Sequence, residues 1–174
     1  LGPMDRKTPA KSIRDIISRL RNRIDNLTLR TTFIVGFPGE TEDEFEELLD
    51  FIREMGFERA GAFKYSKEEG TPAGVMASQI PDIVKDERYE RLMAVQSEVS
   101  LRKNQALIGS LHEGFIEGTE NGNYIARIPS QAPEVDGHTY IKSSKLFKTG
   151  DPVRIRITDA DIYDLYGEID RIGS

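Results

Sequence analysis

The sequence predicts an α/β region followed by an all-β one, and three observations carry that reading. Residues 28–65 run strand, helix, strand; a long charged amphipathic pattern follows; and from His112 the chain breaks into five short runs separated by turn residues. Strand, helix and strand within about 38 residues make a βαβ unit, whose strands pair in parallel through a right-handed crossover. Two parallel strands do not form a self-sufficient sheet, so residues 1 to about 80 read as the end of a larger domain.

Leu1 to Lys7 has no pattern of its own. Thr8 caps a helix with Pro9 at its first position, and Ile13, Ile16, Ile17, Leu20 and Ile24 share one face. Thr28 to Val35 is a β-branched strand ended sharply by Gly36, Pro38 and Gly39. Thr41 to Glu44 is a capping box that opens a helix reaching about Met55, with Phe45, Leu48, Leu49 and Ile52 inward and Gly56 as its stop. Glu42, Asp43, Glu44, Glu46 and Glu47 are its acidic start and solvated face rather than paired catalytic carboxylates. A second strand spans Ala60 to Tyr65, with Phe63 expected in the core, and residues 66–80 form a loop around Gly70, Pro72 and Gly74. The next helix is predicted from about Val84 to Leu107, closed by Gly109, with Leu92, Val95, Val99 and Ala106 on one face. The five runs that follow, HEGFIEG, NYIARI, HTYIKS, VRIRITDA and DLYGEID, suggest a small closed barrel and a domain boundary near Ile108.

Composition excludes several functions. The 174 residues contain no cysteine, so this chain supplies no disulfide, no thiolate nucleophile and no cysteine-held iron-sulfur or zinc site. His112 and His138 lack the paired spacing of a metal helix. A net charge of −6 argues against general nucleic-acid binding and favours a basic partner. No apolar run approaches the roughly 18 residues of a membrane span and no signal peptide opens the chain, so the expected compartment is the cytoplasm. The backbone at Gly36 to Gly39 lies at the carboxyl end of a parallel strand, where ligands bind; from the residues alone it is equally a tight strand-to-helix turn.

Three blocks together resemble the radical S-adenosylmethionine methylthiotransferases: IVGFPGETEDEF after the first strand, FKYSKEEGTPA after the second, and a C-terminal barrel with QAPEVDG and ITDADIYDLYGE. GFPGET is shared by several radical enzymes, whereas QAPEVDG with DLYGE resembles the RimO-type branch, which methylthiolates an aspartate of ribosomal protein S twelve. The resemblance implies that residues 1–107 hold the last βα units of a TIM-like radical barrel and residues 108–174 a five-stranded antiparallel, oligonucleotide-binding-like TRAM barrel. It implies that Gly36, Phe37, Pro38, Gly39, Glu40, Tyr65, Ser66 and Arg6 line S-adenosylmethionine, and that the parent enzyme carries two 4Fe-4S clusters. The family's cluster cysteines are absent here, which favours a C-terminal fragment, inactive alone and with no cofactor expected on it. From Leu107 onward seven basic residues face eleven acidic ones, a net of −4. Such a barrel suits a basic ribosomal protein, with Glu134, Asp136, Asp159, Asp161, Asp164 and Tyr163 as candidate contacts and Tyr166 as a further anchor or a core residue. The rival readings are a tRNA methylthiotransferase and a non-catalytic adaptor. The truncated sheet edge predicts self-association.

Overall fold

A computed structural model describes residues 10–170, and it divides between Ser97 and Glu98 into two compact units. The Thr8 cap, Pro9 and Arg6 lie outside the described residues.

In the first unit α1 (Ala10–Arg21) is followed by β1 (Arg30–Val35), α2 (Glu42–Met55) and β2 (Arg59–Lys64). β1 and β2 pair in parallel, Arg30 opposite Arg59 through Val35 opposite Lys64. The capping box forms as expected: the Glu44 amide donates to Thr41 Oγ1 at 3.2 Å, and the Thr41 amide donates to Glu44 Oε2 at 2.8 Å. At the other end Gly56 adopts φ +56° and its amide donates to Ile52 O, closing the last turn. Phe45, Leu49, Ile52 and Met55 are buried at the helical period.

Two expectations fail here for one physical reason. Ile17 is buried against Met55 and Phe57, and Ile13 packs beside them, but Ile16 and Leu20 are exposed and Ile24 lies past the helix end and is also exposed. Phe63, expected in the core, is 68% exposed, and its register partner Ile34 is 41% exposed. Side chains alternate across a strand, so Ala62 is buried while Phe63 points to the opposite face. Nothing among the described residues covers that face, because a two-stranded sheet has one packed side only.

A 3₁₀ turn (Ala73–Val75) leads to α3 (Asp82–Gln105), which buries Leu92, Val95 and Val99. The predicted face ends there: Ala106 lies past the helix and is exposed, and the Gly109 amide donates to Ile157 O rather than capping α3.

In the second unit β3 (Leu111–Glu120), β4 (Asn123–Arg127), β5 (Thr139–Ile141), β6 (Pro152–Ala160) and β7 (Leu165–Asp170) close into a barrel of order β3-β4-β5-β7-β6. Val153, Ile155 and Ile157 point inward while Arg154, Arg156 and Thr158 face solvent, as the alternation predicts. They join Ile116, Ala126, Ile128, Ile141 and Leu165 in one core. Four junctions are antiparallel, and the β5–β7 pair is parallel. An all-antiparallel ring of five is impossible, since directions cannot alternate around an odd number of strands. The last turns of α3 belong to this unit: the buried amide of Asn104 donates to the carbonyls of Asp161 and Ile162 at 2.8 and 3.0 Å.

Candidate functional site

The turn between β1 and α2 is held in one specific shape that needs glycine at two positions. Gly36 and Gly39 take φ of +73° and +86°, a region that side chains disfavour, and a Cβ at Gly36 would overlap the Lys85 side chain. Glu40 folds back so that its Oε1 accepts from the Gly36 amide at 3.0 Å. The same oxygen accepts from Arg88 Nη1 at 2.6 Å, and Arg88 also donates to the Glu40 carbonyl at 3.2 Å and to Glu42 at 3.1 Å. From the other side the Gly39 amide donates to Ser78 O at 2.9 Å. Arg88 is only 5% exposed and lies 5.4 Å from the Phe45 ring centroid. A buried arginine bound to a buried carboxylate costs about 3–5 kcal/mol to break from one side, so this pair locks the turn.

Glu42 and Glu46 are engaged as well, by Arg91, whose guanidinium sits 4.9 Å from the Phe45 ring centroid. Hydrogen bonds from Arg91 and then Arg88 hold the Glu42 carboxyl below its ordinary range, and those from Thr41 do the same for Glu44. The acidic helix start is therefore partly a clasp to α3. Lys85, Arg88 and Arg91 went unread in the sequence because α3 is dense in charge. The signal was present: Lys85, Arg88, Leu92, Val95 and Val99 fall on one stripe at alternating spacings of three and four, and cations on an apolar stripe are buried cations.

Phe37 and Tyr65 meet edge to face, with ring centroids 5.4 Å apart. Tyr65 lines an open hollow of about 590 Å³ with Lys64, Ser66, Lys67, Asp82, Lys85 and Asp86. Lys64 bonds Asp86 at 2.6 Å and Lys85 bonds Asp82 at 2.9 Å, so most of its charge is answered internally. Ser66 Oγ donates to Glu68 at 3.2 Å, whereas the Tyr65 hydroxyl is buried with no hydrogen-bond partner among the described residues. The wall thus offers backbone at the glycine turn, two aromatic rings and one unanswered hydroxyl. It carries no cysteine or histidine, and among the described residues no group of three or more acidic or histidine side chains could hold a metal.

On the barrel, the β4–β5 loop meets the β6–β7 hairpin. Asp164 accepts from the His138 amide at 2.8 Å and the Leu165 amide donates to His138 O at 2.9 Å. This brings Glu134 and Asp136 to the same end as Asp161, Tyr163 and Asp164. Asp136 accepts from the Ala132 amide at 2.7 Å, Asp159 from the Ala160 amide at 2.8 Å and Asp161 from the Ile162 amide at 2.6 Å. Each therefore spends one carboxylate oxygen on a nearby backbone amide, Asp136 and Asp161 in loops and Asp159 at the end of β6. Glu134 is exposed at φ +61°, and Tyr163 is 56% exposed. Tyr166 is not core: it is 39% exposed and stacks on Tyr140, centroids 5.8 Å apart at 25°.

No helix among the described residues is long and apolar enough to cross a membrane. Residues 108–169 match the TRAM domain family. Over 170 residues the chain is 49% identical to a protein of Carboxydothermus hydrogenoformans named ribosomal protein uS12 methylthiotransferase RimO, covering 97% of this chain and 39% of that protein. Proteins of the same name in a Thermoanaerobacter species and in Geobacter sulfurreducens are 50% and 45% identical, each again over 97% of this chain and 38% of their own length. The chain thus spans about two-fifths of the length of these curated relatives.

Proposed function

We propose that this chain, which carries a TRAM domain and matches RimO-type methylthiotransferases over 97% of its length, forms two parts of such an enzyme: one wall of the S-adenosylmethionine site and the barrel that receives the protein substrate. The relatives' name supplies the target, ribosomal protein uS12, and the reaction, attachment of a methylthio group; the family resemblance adds the acceptor, the β-carbon of an aspartate. A ribosomal target places the work in the cytoplasm.

The single observation that carries the reading is the locked turn. Gly36 to Glu40, fixed by Arg88 and Ser78, holds the carboxyl end of β1 in one shape, and Phe37 and Tyr65 stand beside it to pack on an adenine ring. S-adenosylmethionine, when bound, supplies the methyl group. The turn and the rings orient the cofactor. The 4Fe-4S clusters of the reaction do not fit this chain, which has no cysteine, and their ligands belong to other parts of the enzyme.

Residues 108–174 form the recognition domain. Its net acidity favours a basic ribosomal protein over a polyanion. Titration of the purified chain with purified uS12 and with unmodified tRNA tests this: saturable binding to uS12 alone is expected. Binding to tRNA that weakens steeply with salt, with none to uS12, would overturn it.

A further inference from the structure

The barrel exterior carries an aromatic ladder that no turn residue in the sequence advertises. Ile125, Tyr140, Tyr166 and Asp159 are successive register partners across β4, β5, β7 and β6. Their neighbours Thr139, Ile141, Leu165 and Gly167 point inward and are buried, so the two tyrosines stand on the outer surface. Tyr166 stacks on Tyr140, and His138 meets Tyr140 edge on at 6.0 Å. The ladder is set among carboxylates. Glu120 accepts from the Tyr140 hydroxyl at 2.9 Å, which enriches the ring in electron density and, with burial and the nearby charge of Asp164, raises that hydroxyl's pKa to about 12. Asp159 faces Tyr166 across the β6–β7 pair. The neighbouring cations are elsewhere engaged: Arg154 and Arg156 both pair with Asp170, and Arg127 pairs with Glu117. Lys142, just past the end of β5, is exposed.

We infer that the Tyr140–Tyr166 stack, with Glu120, Asp159 and Asp164 around it, is a docking surface for an arginine side chain of a basic protein segment. This rests on the reading of the barrel as a protein-recognition domain and gives that domain its anchor. A guanidinium lies flat on a tyrosine face while its N–H groups donate to carboxylates at the ring edge, an arrangement that an ammonium cannot reproduce. Charge complementarity selects the occupant: a nucleobase would also stack, but its phosphate would meet three carboxylates.

The test uses the chain with a fluorescent arginine-glycine repeat peptide, its lysine-glycine counterpart, a single-stranded RNA oligonucleotide and uS12, read by anisotropy. The arginine peptide is expected to bind more tightly than the lysine peptide. Tyr166→Leu should weaken it about fivefold or more and weaken uS12 in parallel, Tyr166→Phe should stay within about twofold, and Phe115→Leu on β3 should change nothing. Circular dichroism checks that each variant is folded, and the phenylalanine rescue separates lost stacking from lost structure. Unchanged binding of peptide and uS12 by Tyr166→Leu would overturn the ladder while leaving uS12 recognition intact. Loss of RNA binding alone would assign the ladder to nucleic acid. Failure of the wild-type chain to bind either uS12 or the arginine peptide would overturn both readings.

Discussion

The two units solve the problem of sheet edges in opposite ways. In the second, five strands close on themselves, every strand has two partners, and eight apolar side chains fill the interior. In the first, two strands share one junction, and one face of the pair shows Ile34 and Phe63 to solvent. The barrel keeps a few polar locks within its closed wall: Arg127 pairs with Glu117, and the buried Thr139 hydroxyl donates to Gln131. The open unit gathers its ion pairs at one turn, Arg88 with Glu40 and Glu42 and Arg91 with Glu42 and Glu46. The two units differ in whether apolar burial closes around such pairs.

The largest expected effect probes the barrel. Ile155→Ala removes a fully buried side chain and should destabilise the second unit by about 2–5 kcal/mol. Hydrogen exchange should show faster amides across β3 to β7 and unchanged protection in β1 and α2; equal acceleration in both units would break the comparison. A somewhat smaller and more local effect is expected at the turn. Arg88→Ala strands the Glu40 carboxylate, at a cost of about 3 kcal/mol, with exchange at Gly36 and Gly39 accelerating before the strands do. Retained protection at those two amides would show that the turn holds its shape without Arg88.

The smallest effect separates the units by pH. Burial lowers the pKa of His112 below 6.5, so the stability its neutral form contributes is present above 6.5 and declines as pH falls toward its folded value. Glu42 and Glu44 are held below 4.5, so their contribution is complete above 4.5 and is lost only at more acid pH. Urea unfolding followed unit by unit should therefore show the barrel weakening first, as pH falls below 6.5, and the α/β unit only below about 4.5. The reverse order would contradict this assignment.

Much of this was legible in the sequence because local rules acted alone. Thr41 and Glu44 needed only each other, and the alternation in VRIRIT needed only a pleated backbone. The misses came where distant elements decided the outcome. Phe63 looks like core until one knows that its face of the sheet is bare. Arg88 looks solvated until α2 brings Glu40 to it, and the Tyr140–Tyr166 stack exists only because the ring closes through a parallel junction that no local signal encodes.

That junction has a temporal consequence. β5 is three residues long, yet it bonds to β4 on one side and β7 on the other. It is the shortest stave of the hoop, and a transient opening of those few bonds gives water a route to Ile141 and Leu165 at the barrel's centre. Tyr140 sits in the middle of that stave, so whatever presses on its ring also governs how often the hoop breathes.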